Sequence, residues 1–333
     1  GDDITRHPEH GFVETRSVKV LTDWLASHGF AIEMGVAKMP TAFIARWKGN
    51  RGAPNLGVIV EYDALRGTKG DFHGDQHSTQ GPIGPRAIGR LWHRLVHEKL
   101  NYRRPYGVQG GDWGAVVSSW CAFDHPVKDE KDDWKSGVAG LHLNMMGLRP
   151  GIDLKTANLS AAEQAWLAGM GQTLDDKVAY QRIQATRPQT LGVALTDSPV
   201  GLAAWIAEKF QAWSDCKGDP RSRFSMDLLL DNIMVYWLTG TAGTATWLYR
   251  GVTQQHPRGL PPGEKVTVPT AFAAFPADLA PAPPREWIER CYELRRHTVM
   301  PSGGHFAALE EPRLLVDDIR DFFRPLRFGA AND

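Results

Sequence analysis

Three cysteines in 333 residues, Cys121, Cys216 and Cys291, are too few and too scattered to build a disulfide framework. A reducing, cytoplasmic setting is therefore the expectation. An excess of one charge sign is also lacking. The 38 basic and 38 acidic side chains leave a formal net charge of zero, which excludes the electrostatic footprint of a nucleic-acid binder. No apolar run reaches about 18 residues and no signal-peptide pattern is present, so no membrane partner is expected. No internal repeat is evident. What the chain does have is 42% hydrophobic residues and enough length for a large core in one to three domains. The charged run Lys128 to Lys135 reads as a solvated loop.

Against that background the sequence Gly110-Gly111-Asp112-Trp113-Gly114 stands out. It fits the G-x-nucleophile-x-G elbow of α/β-hydrolases, with a carboxylate where a serine is usual. Tyr106 to Gln109 before it reads as a short strand and Ala115 to Trp120 after it as a helix, the strand–turn–helix context that such an elbow needs. Downstream, His305 sits in a Gly-rich turn after the strand His297 to Met300, where it could serve as a general base. Between the two, the β-rich run Val266 to Ala277 ends at Asp278, completing the order nucleophile, acid, histidine.

From about Ile88 to Arg324 the chain resembles an epoxide hydrolase of the microsomal-like group. The matching blocks are Gln109 to Gly114, Leu141 to Met145, Asp197 to Ile206, Tyr236 to Thr241 and Gly303 to Pro312. The resemblance implies Asp112 as nucleophile, His305 as base and Asp278 as its orienting carboxylate. It places the two ring-opening tyrosines at Tyr180 and Tyr249 and leaves the Trp113 amide as an oxyanion donor. A phenol hydrogen bond would offset the alkoxide charge of an opening epoxide. The carboxylate would form an ester that water, activated by histidine, then hydrolyses. Serine is a weak nucleophile for displacement at carbon, whereas an aspartate is already ionised at neutral pH. The expected partners are a small apolar epoxide and water, with no cofactor and no metal; a homodimer is left open.

The segment from residue 150 to 263 reads as a helical cap inserted between 84–149 and 264–327, the α/β-hydrolase core. Ser160 and Glu163 form a capping box, and apolar stretches at helical spacing follow over Val200 to Trp213 and Met226 to Tyr249. Trp205, Trp213, Trp237 and Trp247 are candidates to line an apolar pocket beneath the cap.

Residues 1–67 read differently: a helix from Val18 to Leu25 and strands over Thr41 to Trp47 and Leu56 to Leu65. By His7 to Glu14, Thr41 to Phe43 and Glu61 to Leu65 this stretch resembles the amino-terminal end of aminobenzoyl-glutamate-hydrolase-type zinc amidohydrolases, as though it replaced the first half of the hydrolase sheet. Residues 68–83 read as a linker, and His73-Gly74-Asp75-Gln76-His77 within it as a solvated loop. The His-Gly-x-Pro turn that completes the oxyanion hole in epoxide hydrolases has no counterpart, so impaired activity is expected. Two alternatives follow from the splice: a metal-dependent amidohydrolase or peptidase, and an inactive fusion or fragment.

Overall fold

The computed structural model describes residues 15–36, 40–47, 83–127 and 137–326. The expected strand Leu56 to Leu65, the blocks His7 to Glu14 and His73 to His77, and the charged run Lys128 to Lys135 lie outside these. Near the amino terminus, helix α1 (Thr15–Ser27) precedes an antiparallel pair, β1 (Ala31–Met34) and β2 (Phe43–Arg46), in the register Ala31 opposite Arg46. β2 falls inside the strand expected over Thr41 to Trp47. β1 was not expected, because four residues carry too little alternation to read as a strand.

The main sheet has four parallel strands in sequential order: β3 (Tyr106–Gly110), β4 (Val138–Leu143), β5 (Val266–Ala274) and β6 (Tyr292–Val299). Among the described residues no strand pairs with the free side of β3. Side chains alternate across a strand, and two helices use the two faces. On one face, Leu141 and Leu143 of β4 with Val268, Phe272 and Ala274 of β5 pack against Ala115, Trp120 and Ala122 of α3 (Asp112–Asp124). Trp120, Leu141 and Leu143 are fully buried, each worth roughly 1.5–3 kcal/mol of transfer free energy. On the other, His142 meets α13 (Pro312–Phe323). Before the sheet, α2 (Pro85–Arg94) runs on into a π-helical turn over Leu95–Lys99 and packs on α3.

Between β4 and β5 the chain is helical: α4 (Ala161–Lys177), α5 (Ala179–Thr186), α6 (Pro188–Asp197), α7 (Pro199–Trp213), α8 (Met226–Thr239), α9 (Ala242–Ala245) and α10 (Trp247–Gln254). The capping box forms as expected: Ser160 N–H donates to Glu163 at 2.8 Å and Glu163 N–H donates to Ser160 Oγ at 3.2 Å. The apolar stretch at helical spacing over Met226 to Tyr249 is helical in three pieces, the last running on to Gln254. Gly240, at φ 66°, closes α8 in a Schellman pattern, its own N–H and that of Thr241 bonding back to Trp237 and Tyr236. Among the described residues no single helix is long and apolar enough to cross a membrane. After β5 come α11 (Arg285–Cys291), α12 (Ala307–Glu310) and α13, with a 3-10 turn over Arg324–Leu326 ending the described residues.

Asp318 of α13 ties the sheet's second face together. Its carboxylate accepts from His142 Nε2 of β4 at 3.0 Å and from Arg296 and Thr298 of β6, each at 2.7 Å. Burial pushes the carboxyl pKa up, but the hydrogen bonds from His142, Thr298 and Arg296 overcome it and hold the group down at about 2. Asp318 therefore stabilises the fold above the ordinary aspartate value, and that contribution is lost as pH falls through about 2. Asp318→Ala, which leaves three donors unpaired, is expected to cost about 3–5 kcal/mol in urea unfolding; a loss under about 1 kcal/mol would show that the network is dispensable.

Candidate active site

β3 runs into α3 through a turn with no spare room. A Cβ on Gly110 would overlap the Gly114 carbonyl, so only glycine lets the strand end press against the first turn of the helix. Gly111 is extended, and Asp112 takes φ 46°, the left-handed region that a non-glycine residue enters at a cost. That conformation lifts the Asp112 carboxylate off the sheet, its side chain 44% exposed. The Trp113 amide lies in the first turn of α3, where N–H groups have no acceptor within the helix.

The loops after β5 and β6 bring the other two residues to the same edge. Ala277 N–H donates to the Gly303 carbonyl at 3.0 Å and Met300 N–H to the Ala274 carbonyl at 2.8 Å, so the two loops are stitched together. His305 Nδ1 lies 2.7 Å from Asp278 Oδ1, which also accepts from the Leu279 N–H. On its other side, His305 Nε2 lies 3.8 Å from Asp112 Oδ2. That is too long for a direct hydrogen bond and leaves the carboxylate lone pairs free. The imidazole is 5% exposed. Burial alone would lower its pKa, but Asp112 and Asp278 together more than offset this and raise it to about 9.

From the helical segment, Tyr180 of α5 and Tyr249 of α10 stand edge to face, centroids 5.7 Å apart, and Tyr249 meets the Trp113 ring at 5.0 Å. Burial raises both phenol pKa values, and the Asp112 carboxylate pushes each further up. Around them lies one apolar cluster that draws on both sides of the molecule: Tyr180, Trp205, Trp213 and Tyr249 from the helices, Met145, Leu279 and Phe306 from the sheet-end loops. Trp205 and Trp213 both belong to this cluster. Trp237 does not: it packs with Leu195, Leu202 and Ile233 inside the helical segment, because Ile233 and Trp237 share one face of α8. Trp247 is half-buried at the start of α10 and belongs to no cluster around Tyr180.

The structure adds residues that the motifs did not single out. His305 N–H donates to the Trp213 carbonyl at 2.8 Å, so the end of α7 holds the histidine's own backbone. Glu310 accepts from the N–H groups of Asp215 at 2.7 Å and Phe306 at 3.0 Å. Asp215 accepts from Gly303 N–H and from Arg223, and Arg223 reaches Glu311, which also accepts from Ser302. The Gly303 amide, before Arg223, holds Asp215 ionised below the usual range. This polar clamp fastens the histidine loop to residues 213–223. Its acids lie far apart in sequence and carry no spacing signal, although Glu310 and Glu311 fall within the block Gly303 to Pro312. Beside the elbow, Gln109 Nε2 donates to Asn144 at 2.8 Å.

No family model matches the chain. It is 41% identical over 241 residues to a provisionally named epoxide hydrolase of Stigmatella aurantiaca, covering 72% of this chain and 51% of that protein. It is 35% identical over 274 residues to epoxide hydrolase 1 of Oryctolagus cuniculus, covering 74% and 56%. The solved epoxide hydrolase of Aspergillus niger superposes with a TM-score of 0.59 at 31% identity, over 75% of this chain and 60% of that one. The chain thus spans about half the length of the curated relatives it matches.

Replacing the Asp112 charge tests the electrostatic account. In Asp112→Asn the imidazole of His305 should titrate below the wild-type value of about 9, read by NMR of the ring. Because a raised histidine stabilises the fold below the ordinary imidazole pKa and ceases to do so as pH rises through about 9, the wild type should also lose stability over that window more steeply than the variant. An unchanged titration would mean that Asp112 does not act on His305.

Proposed function

The described α/β-hydrolase portion of this chain is homologous to epoxide hydrolases and shares their fold, a parallel sheet with flanking helices, and we propose that the protein converts an apolar epoxide and water into a vicinal diol through an ester on Asp112. The observation that carries the reading is a carboxylate on a strained elbow, 3.8 Å from a buried imidazole that is itself backed by a second carboxylate at 2.7 Å.

In the first step an Asp112 oxygen attacks an epoxide carbon as the ring C–O bond breaks. The electron pair moves to the epoxide oxygen, which takes a proton from Tyr180 or Tyr249. Burial raises both phenols, so they stay protonated until the alkoxide, a stronger base, develops beside them. In the second step His305, having given its resting proton to the phenolate, removes a proton from water, whose oxygen attacks the Asp112 carbonyl carbon. The Trp113 amide faces the resulting oxyanion. Collapse breaks the ester bond to the substrate, His305 gives the proton taken from water to the departing oxygen, and the proton left on the Asp112 carboxyl returns His305 to its protonated resting form. The sum is one epoxide and one water to one diol.

The same reading divides the chain into a core, 84–149 and 264–327, and a helical cap, 150–263, with the apolar cluster of Tyr180, Trp205 and Trp213 between them excluding water. A cytoplasmic site of action agrees with three cysteines that are buried and free. Residues 1–67 are carried as an amidohydrolase-like addition on their sequence alone, and residues 68–83 as the linker.

Purified protein should form diol from styrene oxide, unaffected by chelator. Asp112→Ala should lose at least about 1000-fold, and His305→Gln should stall at the ester, seen as an increase in intact protein mass equal to one epoxide. Diol formation that survives Asp112→Ala, or that a chelator abolishes, would overturn the mechanism.

A further inference from the structure

Lys209 is an anomaly on α7. Its side chain is only 16% exposed, and it pairs with the adjacent, half-exposed Glu208. Its ammonium lies over aromatic faces: 4.4 Å from the Tyr180 centroid, 5.4 Å from Trp213 and 5.5 Å from Trp205. Trp205, Lys209 and Trp213 follow one another at four-residue spacing, so α7 presents an indole, a cation and an indole along one stripe. That stripe meets the ring of Tyr180, which stands edge-on to Trp205 and tilted to Trp213. A lysine needed only for solubility would extend into water, as its long stem allows. Here it is folded back onto the ring of one of the two candidate ring-opening phenols.

We propose that Lys209 is a positioning residue for epoxide opening, its cation over the Tyr180 ring stabilising the negative charge that the ring gains when the phenol gives its proton to the epoxide oxygen. This deepens the proposed function and rests on it. As the proton leaves Tyr180 Oη for the substrate oxygen, charge spreads into the phenolate ring, and a cation over its face gains attraction in the transition state that it lacked in the ground state. The other groups that act on Tyr180 divide: burial and two carboxylates oppose ionisation, and two hydrogen bonds to the hydroxyl favour it. Burial and the carboxylates of Asp112 on α3 and Glu208 on α7 disfavour the phenolate, while Gln181 donates to the hydroxyl at 3.2 Å and Tyr249 of α10 shares a hydrogen bond with it. Lys209 is the cation recorded against this ring among the described residues. It lies over the ring face, so it does not itself occupy the phenol hydroxyl as a direct ion pair would.

The test compares Lys209→Met, close in length but neutral, with Lys209→Arg, which keeps the charge. Ester formation from styrene oxide is timed by quenched-flow mass analysis in a His305→Gln background. Lys209→Met should slow it about tenfold with little change in the concentration giving half-maximal rate, and Lys209→Arg should recover most of the loss. A second readout needs no turnover. Protein labelled with 3,5-difluorotyrosine brings phenol ionisation into a convenient pH range, and the Tyr180 fluorine resonance is assigned by its absence in Tyr180→Phe. Its midpoint should rise by about one unit in Lys209→Met and stay near wild type in Lys209→Arg. Lys209→Gln stands in should the methionine variant not fold. A Tyr180 midpoint indifferent to the charge at position 209, or an arginine variant as slow as the methionine one, would overturn the proposal. Failure of the wild-type chain to form either ester or diol would instead defeat the reading of its function, while the fluorine titration would still judge Lys209.

Discussion

One imidazole held between two carboxylates sets the terms for the rest of the molecule. His305 is buried, which disfavours its charge, yet Asp278 at 2.7 Å and Asp112 at 3.8 Å outweigh that burial. The three residues come from three strand ends: Asp112 follows β3, Asp278 follows β5 and His305 follows β6. A parallel sheet sends all its strand ends to one edge, where sites in open α/β folds collect. With β4 and β5 between β3 and β6, however, the histidine loop must cross two strands to reach Asp112. That crossing explains the hydrogen bonds between the loops at Ala277 and Gly303 and the clamp built from Glu310, Asp215, Arg223 and Glu311. A few tenths of an ångström lost at His305 would be felt at both carboxylates.

The clamp also makes the helical segment part of the site. Trp213 at the end of α7 accepts from the His305 amide, and four residues earlier Lys209 lies over Tyr180. One helix therefore touches the histidine loop through its backbone and Tyr180 through its side chains. The apolar cluster of Tyr180, Trp213, Leu279 and Phe306 crosses the same boundary. Sheet-end loops and helices each supply half of an environment that neither provides alone.

How much of this was legible depended on whether the signal was local. The elbow could be read because glycine spacing and a strand-to-helix change are written within ten residues, and the capping box because Ser160 and Glu163 are three apart. The order of Asp112, Asp278 and His305 could be read because each follows a strand-like run. Gly240 hid a helix break: apolar spacing on either side of it continues in phase, and only a left-handed cap betrays the stop. The clamp was invisible because Asp215 and Glu310 are 95 residues apart and each looks like a surface acid. Trp237 looked like Trp205 and Trp213, since periodicity tells which residues share a face but not what that face meets. β1 was too short to alternate, and four residues of strand become one only by pairing with β2.

The same geometry supplies timing to the proposed chemistry. With Asp112 ionised, His305 sits at about 9 and is mostly protonated at neutral pH, so it is a poor base when no base is yet required. A protonated imidazole at 3.8 Å does not occupy the Asp112 lone pairs with a full hydrogen bond, so the carboxylate remains able to attack. Once Asp112 becomes an ester its charge is gone, and Asp278 alone must hold the imidazolium against a burial that favours the neutral form. The histidine then loses its proton more readily, at the step where water needs a base. In the proposed reaction Asp112 thus suppresses His305 as a base before alkylation and releases it afterwards. This argument requires that His305 be buried: in an exposed site the solvent would screen Asp112, and esterification would change little at the ring.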